Sequence, residues 1–169
     1  MKKIFGFIFF LTLILPLFGC NVKKEISREC ISDTLENVEL PGMYIESDIP
    51  QGASLSMSRE DGRCAVFTHA DYEIIQEIFR ADSWDGAFQH ITGRNSEDLK
   101  RFLAGNFPYE KYRCTWSVVG EGGTRLCQSV ILYDGHFYYA VSVDCAAEKT
   151  NVYEEVFSDL LSGVHLCGT

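Results

Sequence analysis

Four histidines and a surplus of carboxylates are the residues that could carry acid–base or metal chemistry in this 169-residue chain. His69, His90, His136 and His165 lie far apart and fall in different expected elements. His69-Ala70-Asp71 could offer an imidazole and a carboxylate to a metal. A strand-to-helix junction with Asp71 as the helix cap accounts for the same residues. No Gly-x-Ser-x-Gly elbow marks a serine nucleophile. Gly120-Glu121-Gly122-Gly123 is glycine-rich, but it lies between two strands, where a hairpin turn needs glycine and a phosphate cradle would need a following helix. The 24 acidic side chains leave many carboxylate pairs of the kind glycoside hydrolysis uses, and single out none. No CxxC pair or Cys/His cluster stands out, which argues against zinc and against a thioredoxin-type redox motif. The sequence therefore assigns no catalytic residue, no metal and no cofactor.

Recognition is better represented than catalysis. Tyr109, Tyr112, Trp116, Tyr133 and Tyr138 gather around an expected strand meander, and Tyr and Trp bury large areas at low entropy cost. These five are the candidate binding surface. The competing arrangement is a helix packed over that face, with the rings as core.

The N-terminus decides where such a surface would be displayed. Lys2 and Lys3 precede a run from residue 4 to 18 interrupted only by Gly6, Thr12 and Pro16. A basic start and an apolar run ending in a small residue form a secretory signal. The run is too short for a transmembrane helix, which needs about 20 apolar residues. Its end, Leu17-Phe18-Gly19-Cys20, resembles the lipobox of bacterial lipoproteins, with Phe18 bulkier than the small residue common there. That resemblance implies cleavage before Cys20, lipid on its thiol and acylation of the new N-terminus. It divides the chain into a signal peptide over 1–19, a lipidated tether over 20–28 and a globular domain over 29–169.

Losing Lys2 and Lys3 leaves 13 basic against 24 acidic side chains, a net charge of −11. Such a surface disfavours nucleic acid and is repelled by anionic headgroups. The expected contacts are the membrane, through the lipid at Cys20, and an envelope protein or small ligand. Six cysteines remain: Cys30, Cys64, Cys114, Cys127, Cys145 and Cys167. In an oxidising compartment that even count predicts three disulfides. If Gly120-Glu121 is a two-residue turn, Cys114 lies opposite Cys127, close enough for a bridge. Cys64–Cys145 and Cys30–Cys167 are then one of three remaining connectivities.

Period and turn chemistry give the elements. Residues 27–35 read as a short helix containing Cys30, and residues 38–42 as a strand entering a turn before Met43-Tyr44-Ile45. Residues 54–58 and 64–68 form a hairpin about Asp61-Gly62. Residues 71–80 read as a helix, with Tyr72, Ile75, Ile78 and Phe79 on one face. Trp84, Phe88 and Ile91 mark a second helix ended by Gly93. Asn95 or Ser96 caps a third, carrying Leu99, Phe102 and Leu103 inward and stopped by Gly105 and Pro108. A meander follows over 113–119, 124–133 and 136–144. Pairing Tyr133 with His136 puts Val130, Leu132, Phe137, Tyr139, Val141 and Val143 on a core face, and leaves a mixed face holding Ile131, Tyr133, Tyr138 and Ala140. The last helix, capped at Asn151, carries Tyr153, Val156, Phe157, Leu160 and Leu161 on one face. It ends at Gly163, before a short strand at Val164-His165-Leu166.

This order of elements, above all residues 38–44 and 136–166, resembles PsbP-like domains and the periplasmic DcrB-like lipoproteins. The resemblance implies an α/β/α sandwich and a noncatalytic accessory or binding role, and carries over no functional residue. The expectation is one α+β domain with an antiparallel sheet of about six strands packed with helices. Cystatin-like or NTF2-like curved sheets are the alternative. Functionally it is a lipid-anchored, extracytoplasmic, disulfide-stabilised binding or accessory module of the bacterial envelope, on the periplasmic face of the inner or outer membrane. An envelope-polymer hydrolase and a structural envelope lipoprotein are the alternatives.

Overall fold

The computed structural model describes residues 41–105 and 108–168. The signal run, Cys20, the helix expected over 27–35, Cys30 and the start of the strand expected over 38–42 lie outside the described residues. In chain order the strands are β1 (Met43–Glu46), β2 (Ser54–Ser58), β3 (Cys64–Thr68) and β4 (Tyr72–Phe79). After helix α1 (Trp84–Thr92) come β5 (Lys100–Gly105), β6 (Glu110–Gly120), β7 (Gly123–Tyr133) and β8 (Tyr138–Ala146). Helix α2 (Thr150–Gly163) and β9 (His165–Gly168) close the chain.

Seven strands form one antiparallel sheet in the order β2-β3-β4-β8-β7-β6-β5, while β1 and β9 pair as a separate ribbon. A sheet apolar on both faces needs a cover on each. Phe157, Leu160 and Leu161 of α2, with Leu166 of β9, pack on Ile74, Val130, Leu132, Tyr139, Val141 and Val143. On the other face, Ala87, Phe88 and Ile91 of α1 pack on Cys114, Trp116, Cys127, Ile131, Tyr138 and Ala140. This is the expected α+β class in its layered form, with a seventh strand and a ribbon added.

Two expected helices are strands. Residues 72–79 form β4, which pairs with β3 and β8 along its length. As a central strand it needs apolar residues on both faces, so it loses period 2 and imitates a helical stripe. Asp71 is accordingly no helix cap: its N–H donates to His69 Nδ1 at 3.2 Å, and its carboxylate accepts from Tyr153 Oη of α2 at 2.5 Å. After Asn95, a 3-10 turn over Ser96–Asp98 leads directly into β5, whose Phe102 and Leu103 are exposed instead of inward. Asn151 lies inside α2, which continues from a 3-10 turn over Ala147–Lys149 and has no side-chain cap. At its other end, Lys111 Nζ donates to the carbonyls of Ser162 and Val164, and Arg113 to that of Ser158. Cations at the carbonyls of the last turns complement the helix dipole and fasten the helix to β6.

The meander keeps its expected faces although both turns shift. Tyr133 pairs with Tyr138, not His136, and a two-residue change of register returns each side chain to the same face. Asp134 organises that longer loop, accepting from the N–H groups of His136 and Phe137 at 2.8 Å and from Tyr139 Oη at 2.6 Å. At the other turn Gly120 pairs with Gly123, so Glu121-Gly122 makes the bend.

That shift bears on the cysteines. Cys114 faces Ser129, and Cys127 faces Trp116, so the expected Cys114–Cys127 bridge is absent. Cys64 pairs with Glu77 on β4, and Cys145 with Tyr72. Five positions of strand, about 16 Å, separate those partners, and they project from opposite faces, which rules out Cys64–Cys145. Cys145 Sγ instead lies 3.6 Å from Thr150 Oγ1. Cys30 is outside the described residues, and the Cys167 thiol donates to Glu46. No disulfide joins two of the described residues.

Candidate functional site

The expected aromatic surface is divided by the sheet. Trp116 and Tyr138 are only 4% and 3% exposed beneath α1, so they are core and present nothing to solvent. Tyr133 stacks on Tyr138 at 4.5 Å in the same layer, whereas Tyr109 packs in the layer beneath α2. Of the five, Tyr112 lines a cleft.

That cleft, of about 400 Å³, lies between Ser83, Trp84 and Asp85 at the start of α1 and Arg101, Phe102 and Leu103 of β5. Its position follows from the local sequence. Ser83 caps α1 by accepting from Gly86 N, which turns Trp84 toward the sheet. Trp84 meets Tyr112 edge to face at 4.6 Å and donates from Nε1 to Glu110 at 2.9 Å. Arg101 lies over the Phe88 ring and within 3.2 Å of Asp85, so a charged pair borders an aromatic floor. Ser96 and Arg101, hydrogen-bonded to its side chain, hold the Asp85 carboxyl below its usual range against a smaller opposing effect of burial. Among the described strands β5 lies at the sheet edge, and its adjacent Phe102 and Leu103 point to opposite faces. Both are more than half exposed, at 56% and 52%. Neither covering layer therefore reaches over this edge, which leaves an apolar strand margin beside the cleft.

The histidines behave differently from one another. His69 stacks on Tyr72 at 4.3 Å and meets Tyr153 edge-on, a structural cluster at the end of α2. His90 Nε2 lies 3.1 Å from Glu77 Oε2, the histidine–carboxylate contact a hydrolase would need. The imidazole face is covered by Phe79 at 4.1 Å, so the pair fastens α1 to β4. His136 belongs to the Asp134 loop.

The remaining histidine takes part in a cluster that spacing alone did not reveal. In the ribbon Glu46 pairs with His165 and Tyr44 with Cys167, so all four side chains share the outer face while Ile45 and Leu166 turn to the core. Glu46 Oε2 lies 2.6 Å from Cys167 Sγ and 3.4 Å from His165 Nε2. The three ligand atoms fall within 4.8 Å of one another. The hydrogen bond to Glu46 pushes the Cys167 thiol up, and Cys167 does the same to Tyr44. A signal was available in His165-Leu166-Cys167, since alternate residues of a strand share a face. Glu46, 121 positions from Cys167, carried none.

No family model matches the sequence, and no curated protein matches it. Among solved structures, LpqN of Mycobacterium tuberculosis, described as involved in cell envelope biogenesis, aligns with a TM-score of 0.50 at 14% identity. The alignment covers 75% of this chain and 85% of that one. Cyanobacterial PsbP from Synechocystis aligns with a TM-score of 0.49 at 11% identity, over 80% of this chain and 98% of the other. The yeast Ran-binding protein Mog1p, from Saccharomyces cerevisiae, gives 0.49 at 9% identity, over 72% and 89%. At such identities the likeness is one of fold.

Proposed function

We propose that this chain is a lipid-anchored, extracytoplasmic binding or accessory module of the bacterial cell envelope, attached through Cys20 after removal of residues 1–19. Its partner is an extended segment of an envelope protein that adds to β5 and places an apolar side chain in the adjoining cleft. The observation that carries the reading is the cleft beside an open sheet edge, because strand addition supplies main-chain hydrogen bonds while a neighbouring pocket selects side chains. Lys100 adds a cation to this margin beside the Arg101–Asp85 pair, which admits an acidic as well as apolar segment. LpqN, with a comparable fold, works in envelope biogenesis, and that setting agrees with the reading. No helix among the described residues is long and apolar enough to cross a membrane, which is compatible with attachment through a lipid. The cleft favours a binding role over a structural one, and the covered face of His90 weighs against hydrolysis.

Radioactive palmitate in growing cells tests the anchor: label is expected in the wild type and lost in Cys20→Ala. A photo-crosslinking residue in place of Leu103, in the lipidated protein in intact cells, tests the surface. A discrete adduct is expected there, absent when the same residue replaces exposed Val152 on α2 and lost on adding Phe102→Asp. Equal adducts at both positions would refute the β5 surface and leave the anchor standing.

A further inference from the structure

We propose that Glu46, His165 and Cys167 form a zinc site on the outer face of the β1–β9 ribbon, with three protein ligands and a fourth position open to water or to a partner's side chain. The proposal is independent of the β5 surface. Carboxylate, imidazole and thiolate together form a donor set suited to zinc. In a tetrahedral site with bonds of about 2.1–2.3 Å, ligand atoms stand about 3.4–3.7 Å apart. His165 Nε2 already lies 3.4 Å from Glu46 Oε2, and the Cys167 sulfur, now 2.6 Å from that oxygen, must withdraw from it. A rotation of an accessible side chain achieves this, because Cys167 is not closed in.

The imidazole is oriented for the task. Its Nδ1 lies 2.8 Å from the Gly163 carbonyl, which can only accept, so Nδ1 is the donor and Nε2 is the nitrogen turned to Glu46. Nε2 stands 3.4 Å from the Glu46 carboxylate oxygen, a spacing that a zinc ion can bridge. Donation of the distal ring N–H to a backbone carbonyl is the usual support for a metal-bound histidine. Main-chain pairing fixes the remainder, since Glu46 opposite His165 and Cys167 two residues further on β9 make the convergence a property of register. Binding exchanges the thiol proton for a sulfur–zinc bond and releases that proton to solvent, with no change of oxidation state.

The test uses the full-length lipidated protein in mild detergent, stripped by chelator under reductant and titrated with zinc chloride by calorimetry. A parallel titration with cobalt chloride is followed by absorbance. One zinc per chain is expected, with a near-ultraviolet sulfur-to-cobalt charge-transfer band in the wild type. Cys167→Ser should abolish that band, and Cys167→Ser, His165→Ala and Glu46→Gln should each weaken zinc binding by about tenfold or more. Circular dichroism checks that each variant is folded, and the wild-type band stands without any variant. Absence of saturable binding, an unchanged band in Cys167→Ser, or affinity equal in all variants (an adventitious ion only) would overturn the site. So would peptide mapping that finds Cys167 in a disulfide in the exported protein.

Discussion

Asp134 shows how much one side chain can settle. Burial raises its pKa, but the N–H of Phe137, the hydroxyl of Tyr139 and the N–H of His136 together outweigh that and hold the carboxyl below its ordinary value. Asp134→Ala removes the acceptor of all three hydrogen bonds and strands the hydroxyl of fully buried Tyr139, so a loss of about 2 kcal/mol is expected from the midpoint of urea unfolding. Because the folded-state pKa is depressed, this stabilisation is complete above the unfolded value near about 4 and is lost as pH falls through the lower folded value. The gap between wild type and variant should hold from neutral pH down to about 5 and narrow in stronger acid. A gap that widens in acid would contradict the assignment. At this scale the sequence was only partly informative. It identified Tyr112 and Trp116 as important rings but not which would be covered, because exposure depends on where α1 lies. It placed Asp134-Gly135 at a turn without revealing the loop length, which Asp134 sets by reaching the N–H of Phe137.

Among elements, α1 was the most legible. Trp84, Phe88 and Ile91 repeat at helical spacing up to Gly93, as observed, while the Ser83 cap that starts the helix emerges only in the structure. Gly93 has φ 68° and donates to the Gln89 carbonyl, closing the helix in a left-handed conformation. A Cβ there would meet nothing within 4 Å, so Gly93→Ala carries only the backbone penalty. The expected loss is about 1 kcal/mol, read as a lower urea midpoint with an unchanged slope. Strands β4 and β5 were misread for opposite reasons. β4 is central and apolar on both faces, so its pattern fits a helix as well as a strand. β5 is marginal, and its apolar residues face outward, so no alternation between core and solvent marks it. Only pairing with β6 defines it, and pairing between distant segments leaves little trace in local sequence.

Across the whole molecule, the layered α+β arrangement was legible because the meander and α2 carry strong, uninterrupted patterns. The cysteine pairing was not, since one residue of slip at Gly120 moves Cys114 two positions past Cys127. The sheet joins β4 to β8 through pairs as far apart in the chain as Tyr72 and Cys145, and such non-local pairing slows folding. Stopped-flow refolding is expected in milliseconds to seconds, and full recovery within microseconds would contradict this. The ribbon has a mechanical consequence. Met43 pairs with Gly168, so the chain enters β1 and leaves β9 at the same end. Tension applied between the two ends of the domain would load these hydrogen bonds one after another, as in a zipper, and not all at once in shear. The ribbon is therefore the weak link under load, able to peel open from the end where β1 begins and β9 stops while the seven-stranded sheet remains intact.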